Sequence, residues 1–237
     1  MFKTYLQQAC TDYGISLTPL QLDRMTTYYQ LLVEWNEKMN LTAITDPREV
    51  AVKHMIDSLS CYDESYFPHN CYVIDVGTGA GFPGLPLKIY RPDINLTLVD
   101  SLQKRLVFLQ HLVKELSLDD VVIIHSRAEE GGRNKKLREQ FDVVLSRAVA
   151  RLNVLSELCL SFVKVGGYFI ALKGAQHEKE LIEANKAIEI LGGTTVKVKP
   201  VTLPGFEDQR AVLYIRKDHS TPEVYPRKAG LPEKKPL

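Results

Sequence analysis

Four cysteines in 237 residues, far apart at Cys10, Cys61, Cys71 and Cys159 and with no Cys-x-x-Cys, supply neither a disulfide framework nor a zinc-ribbon spacing. They read as reduced core thiols of a cytoplasmic protein. The six histidines form no ligand-like cluster, so no metal site is expected. No segment approaches ~20 uninterrupted apolar residues, which leaves no candidate membrane span. The opening Met1-Phe2-Lys3-Thr4-Tyr5 lacks the charged and apolar blocks of a signal peptide. An excess of one charge is missing too: 30 Lys and Arg against 29 Asp and Glu give +1, so any basic surface must be local. No Gly-Lys-Ser/Thr follows a glycine-rich turn, and this excludes a Walker phosphate loop.

What is present is concentrated in Val73-Ile74-Asp75-Val76-Gly77-Thr78-Gly79-Ala80-Gly81-Phe82-Pro83-Gly84. A β-branched run stops at an acid and breaks into four glycines where a helical pattern starts. Glycine admits positive φ and lets a ligand approach main-chain N–H groups, and a turn between a buried strand and a helix N-terminus suits a nucleotide-type ligand. Gly79-x-Gly81-x-x-Gly84 satisfies the dinucleotide pattern, which alone is weak. The frame Asp75-x-Gly77-x-Gly79-x-Gly81 fits the strand better. Its carboxylate suits a ligand bearing an ammonium or sulfonium cation and repels a pyrophosphate. A second run, Ile94–Val99, ends at Asp100, placed to accept hydrogen bonds from ribose hydroxyls. NAD enzymes use that position as well, so Asp100 points to an adenosine-type ligand without choosing it.

The first ~65 residues carry helical periodicity, with Thr18-Pro19-Leu20-Gln21 as a capping box and Asp46-Pro47-Arg48-Glu49 as a second start signal. Strands are predicted near 72–76, 95–99, 121–125, 142–146 and 167–172, and helices near 84–91, 102–117, 151–162 and 177–191. This βαβα rhythm implies a mostly parallel sheet covered on both faces. After Leu191-Gly192-Gly193 two strands, 194–202 and 210–216, follow with no helix between them, so an antiparallel hairpin is expected at the sheet edge. The expected fold is α/β: a doubly wound, mostly parallel seven-stranded sheet with a late antiparallel strand. That is the Rossmann-like arrangement of class I S-adenosylmethionine (SAM)-dependent methyltransferases. The expected division is an N-terminal helical extension or cap (1–65), a SAM-binding domain (66–217) and an extended, basic, proline-rich tail (218–237).

Further landmarks are Trp35-Asn36-x-x-x-Asn40-Leu41-Thr42, Lys53-His54-x-x-Asp57-Ser58-Leu59, Val99-Asp100-Ser101-x-x-Lys104-Arg105, Arg127-Ala128-Glu129, Ser146-Arg147-Ala148-Val149-Ala150, Lys173-Gly174 and Tyr225-Pro226-Arg227-Lys228-Ala229-Gly230-x-Pro232. Together with the glycine loop they run in order nearly end to end. On them the chain resembles the bacterial guanine-N7 methyltransferases of small-subunit ribosomal RNA, once named glucose-inhibited division protein B. Many members have arginine where Lys53 stands. The resemblance implies SAM as cofactor, held by the loop from Asp75 through Gly77, Thr78, Gly79 and Gly81 to Phe82, by Asp100, by Ala128 and Glu129, and by Arg147. It also implies 16S rRNA or the small subunit as substrate.

Residue chemistry agrees with a guanine-N7 acceptor. After the fourth strand stands Ser146-Arg147-Ala148-Val149 rather than the Asn/Asp-Pro-Pro-aromatic of adenine amino-group methylation. Carbon-5 methylation of cytosine needs a nucleophilic cysteine, and Cys159 lies in a helix among leucines. Guanine N7 has a free lone pair and no proton to remove, so placement carries the reaction. Arg147 is the candidate catalytic side chain, able to bond the SAM carboxylate or guanine O6, with a structural salt bridge to Asp142 or Glu129 as the alternative. Candidates for RNA contact are Asn40, His54, Arg151, Lys173, Arg227 and Lys228, with a basic loop at 133–138. The tail is read as an extended arm ordering over RNA or over the active site. A monomer is the expected state. Competing readings are a small-molecule SAM methyltransferase, an NAD(P) oxidoreductase and a non-catalytic RNA-binding module.

Overall fold

The computed structural model describes residues 1–237. Seven strands form one sheet: β1 (Tyr72–Val76), β2 (Asn95–Asp100), β3 (Val121–His125), β4 (Phe141–Arg147), β5 (Val163–Lys173), β6 (Gly193–Val201) and β7 (Arg210–Lys217). Their order is β3-β2-β1-β4-β5-β7-β6. Neighbours from β3 to β5 pair in parallel, and β7 runs antiparallel to both β5 and β6. The late hairpin is where the sequence puts it, with β7 inserted against β5 and β6 outermost. Order reverses between β1 and β4, the switch point outside which a crevice opens at the carboxyl ends of the strands.

Each sheet face carries its own core. On one, Val73, Leu96, Leu98, Val143 and Leu145 pack with the helices Gly84–Tyr90 and Gln103–Glu115 and with the N-terminal helices Phe2–Tyr13 and Pro19–Met39. On the other, Ile74, Val76, Val99 and Val144 pack with Leu152–Leu160 and His177–Ile190. The start signals work as read. Thr18 and Gln21 form a reciprocal capping box, and Asp46 accepts from Arg48 and Glu49. From Asp46 the chain runs helically to Leu59, widening into π turns over Val50–Ile56.

The N-terminal helices and the tail both pack onto the sheet domain. The first 65 residues have no core of their own: Phe2, Leu6, Met25, Tyr28 and Leu32 lie in the cluster that holds Val73 and Leu145. The tail, read as an extended arm over RNA or over the active site, is ordered against the domain. Thr221, Pro226 and Pro232 are buried against the domain, and Leu231–Lys234 forms a short helical turn. No helix is long and apolar enough to cross a membrane.

Candidate active site

At the carboxyl ends of β1 to β4 lies a cleft of about 340 Å³. Val76 and Gly77 from β1, Val99 and Asp100 from β2, Ser126 to Glu129 after β3 and Ala148 to Ala150 after β4 line it. Arg105, Val154, Leu158, Pro232 and Glu233 complete the wall.

The glycine loop divides its work between two sides. Gly77 (φ 73°) faces the cleft, where an added Cβ falls 2.5 Å from Val149 Cγ2. Only glycine leaves that edge open. Gly81 turns the other way, and a Cβ there meets Tyr28 Oη and Leu85 Cδ1, each at 2.6 Å. Tyr28 donates its hydroxyl to Ala80 O at 2.6 Å, so the N-terminal helix clamps the back of the loop. Phe82 stacks between Tyr28 (5.1 Å) and His54 (4.6 Å), under the Arg147 guanidinium at 5.1 Å.

Asp75 does not reach the cleft. Its Oδ2 accepts from Thr78 Oγ1 at 2.7 Å and Gly84 N at 2.9 Å, while Oδ1 is buried without a partner. Strand alternation explains this: Asp75 shares a face with Val73, beneath the loop, whereas Val76 opens onto the cleft. Burial pushes its carboxyl up to about 6, against the two hydrogen bonds and the Arg147 charge. Asp75 therefore holds the loop's shape and does not line the donor's rim. Asp100 is at the rim. Its Oδ2 accepts from Gly79 N at 2.9 Å and Arg105 Nη1 at 3.2 Å, and its Oδ1 from Leu102 N at 2.8 Å.

Of the residues expected to hold the cofactor, Gly77, Asp100, Ala128 and Glu129 line the cleft; Asp75, Thr78, Gly79, Gly81, Phe82 and Arg147 do not. Arg147 follows the parity of Val143 and Leu145 onto the face with the N-terminal helices. There its Nη1 donates to Asp57 Oδ2 at 2.7 Å and to Lys53 O at 3.1 Å. The partner is thus Asp57, not Asp142 or Glu129. Asp57 also faces Arg210 at 3.3 Å, and Lys53 Nζ sits 4.3 Å over the Phe206 ring. His54 does not pair with Asp57. Its Nε2 lies 2.9 Å from Thr42 Oγ1, and burial, reinforced by Arg147, pushes the imidazole down to about 3.

Most of the expected RNA contacts are engaged inside the chain. Asn40 caps a helix through its backbone N–H in the left-handed region, at φ 49°, and is itself exposed. Lys173 is buried against Glu180 and donates to Ala150 O. Arg227 forks onto Glu157 at 2.6–3.1 Å. Arg133 and Arg138 of the basic loop donate to tail carbonyls. Arg151 forms a surface pair with Glu183, and Lys228 is exposed. Arg105 and Pro232 stand in the sequence landmarks without a site role, and Arg210 and Glu233 carry no signal in the sequence. The position of Arg105, five residues after Asp100 on the following helix, was the one readable signal.

A family model described as rRNA small subunit methyltransferase G matches residues 21–211. A ribosomal RNA small subunit methyltransferase G of Desulforamulus reducens is 52% identical over 232 residues, covering 98% of this chain and 97% of that one. Its counterpart from Alkaliphilus metalliredigens is 51% identical over 99% of this chain and 98% of its own length. The chain belongs to the rRNA small subunit methyltransferase G family. Among solved structures, a SAM-dependent methyltransferase from Aquifex aeolicus aligns with TM-score 0.56 and 18% identity, over 74% of this chain and 96% of that one, which shows the shared fold.

The cleft of this family member fits an adenosyl ligand. The open edge at Gly77 admits a group where a Cβ would stand. Asp100 and Glu129 offer carboxylate acceptors for hydroxyl and amino groups, and Val99, Val149 and Leu158 offer apolar surface to a planar ring. No cluster of three or more His, Cys, Asp or Glu side chains is placed to hold a metal ion.

Proposed function

We propose that this protein transfers the methyl group of S-adenosyl-L-methionine to N7 of a guanine in 16S rRNA, in the cytoplasm. The cofactor is SAM, which when bound supplies an electrophilic methyl on a sulfonium. One observation carries the reading: a cleft held open at Gly77 and floored by Asp100, in a chain about half identical, end to end, to small-subunit rRNA methyltransferases.

Asp100 accepts the ribose hydroxyls, and Ala128 and Glu129 meet the base. Arg147 stands on the acceptor side. Its Nη1 is held by Asp57, and its Nε and Nη2 make no hydrogen bond within the chain and are not sealed from solvent. Those two donors suit guanine O6 or a phosphate and leave the N7 lone pair free to meet the methyl group. His54, kept neutral, and Phe82 form a buried aromatic stack that braces the guanidinium from within the chain. Guanine N7 needs no base, so the chain's task is alignment of acceptor and donor. Cys159 is buried, with its thiol pushed up by burial, which leaves no nucleophile for carbon-5 chemistry. Of the basic residues, Lys228 and Arg151 remain for phosphates, since a surface pair such as Arg151–Glu183 exchanges at little cost.

The test is incubation with isotopically labelled SAM and small subunits from cells lacking the modification, followed by mass mapping of the nucleosides. 7-Methylguanosine at one position is the expected product. Label on another atom or base, or transfer only to metabolites, refutes the assignment.

A further inference from the structure

The segment after β7 returns to the cleft and is bound there at every step. Thr221 N donates to Glu139 Oε1 at 2.8 Å, and its Oγ1 donates to Leu191 O at 2.8 Å. Arg138 donates to Thr221 O at 2.6 Å and Tyr225 O at 2.8 Å, and Arg133 to Pro226 O at 2.7 Å. A proline-rich extended segment has few hydrogen bonds of its own, so its carbonyls need outside donors. Two arginines of the 133–138 loop provide them. Arg227 then locks onto Glu157 through its backbone N at 2.7 Å and its guanidinium. Glu157 is fully buried on the helix Leu152–Leu160. Three residues on, Gly230 N donates to Glu129 Oε1 at 2.8 Å, and Pro232 and Glu233 form part of the cleft wall.

We propose that residues 227–233 are part of the donor site: a strap, latched by Arg227 on Glu157 and by Gly230 on Glu129, that closes the end of the cleft beside β3 and fixes the Glu129 carboxylate toward SAM. This rests on the reading of the cleft as the SAM site. Glu129 lines that cleft and is buried, and its Oε1 accepts a backbone N–H from the tail at 2.8 Å while its Oε2 faces Arg127 Nε at 3.7 Å. Arg227 and Gly230 are positioning residues, acting on the cofactor through Glu129 and through the wall at Pro232. An RNA-binding arm would need its arginine free. Here releasing Arg227 leaves the buried Glu157 carboxylate without its partner.

Two variants test this by calorimetric titration of SAM and of its demethylated product without RNA, alongside unliganded melting. The first ends the chain after Lys228, which keeps the Arg227–Glu157 pair and the Thr221 anchor. The second is Glu157→Leu with Arg227→Leu, which removes the latch without leaving a buried charge unpaired. Both are expected to bind SAM and its product about tenfold more weakly, while affinity for small-subunit RNA and the unliganded melt of the truncated chain hold. Unchanged or tighter SAM binding in both variants overturns the strap. So does a loss confined to RNA affinity. If truncation lowers the melt, the double variant decides. Failure of the intact protein to bind SAM refutes the donor reading itself, a different outcome.

Discussion

His54 and Asp75 are buried titratable groups on either side of Phe82 and the glycine loop, and they respond to acid in opposite directions. His54 is held down at about 3, below its ordinary 6.5. Between those values the unfolded chain binds the proton and the folded one does not, so its contribution to stability is lost as pH falls. Asp75 is raised from 3.8 to about 6, so the folded chain binds the proton first and stability is gained on acidification through that window. His54→Phe is therefore expected to flatten the decline of the melting temperature from pH 6.5 downward, and Asp75→Asn to steepen it. Equal slopes in both variants and the parent contradict the placement of these groups. At this scale the sequence shows position along a strand more readily than direction. Asp100, Ala128 and Glu129 are legible because strand tips and the residues just past them face the crevice. The sequence does not show that Asp75 and Arg147 point away from the cleft, because each lies one residue out of phase with the cleft-facing set, Val76 and Ala148, and parity at a strand end shows only once both cores are assigned.

Element by element, strands and helices of the sheet region match their sequence boundaries within a few residues, because buried parallel strands are continuous apolar runs and amphipathic helices repeat at 3.6. Partnership is less visible. The periodicity of Phe2–Tyr13 and Pro19–Met39 declares an apolar face, but not that the face packs on the helices Gly84–Tyr90 and Gln103–Glu115 and on the turns after Asp46, joining the core that holds Val73, Leu96 and Leu145. It reads equally as an appendage. Prolines mark the tail as extended, while the arginines that satisfy its carbonyls lie more than eighty residues earlier. The N-terminal helices are thus expected to be indispensable to folding. Deleting residues 1–45 bares the outer apolar surface of the helices that cover one face of the sheet and removes the Tyr28 clamp from Ala80. Loss of cooperative thermal unfolding and soluble yield in that deletion is the expected result, and a cooperative native-like melt of the remainder refutes it.

For the whole molecule, the donor site belongs to no single element. Four strand ends meet at the switch point, one core braces the glycine loop from behind, and the tail walls the far end. Gly77 and Gly79 separate this convergence from mere backbone fitness. Both have positive φ, at 73° and 61°, so a Cβ at either strains the left-handed backbone by ~1–2 kcal/mol. At Gly79 the Cβ meets nothing within 4 Å, whereas at Gly77 it enters the cleft against Val149. The decisive measurement is calorimetric titration of SAM into the parent chain, Gly77→Ala and Gly79→Ala, with melting of each. The account predicts that Gly77→Ala, which must also displace Val149, melts below Gly79→Ala, and that at temperatures where both are folded Gly77→Ala alone loses about tenfold or more in SAM affinity. A parent chain that ignores SAM, or a Gly77→Ala that binds it as tightly as Gly79→Ala does, contradicts it.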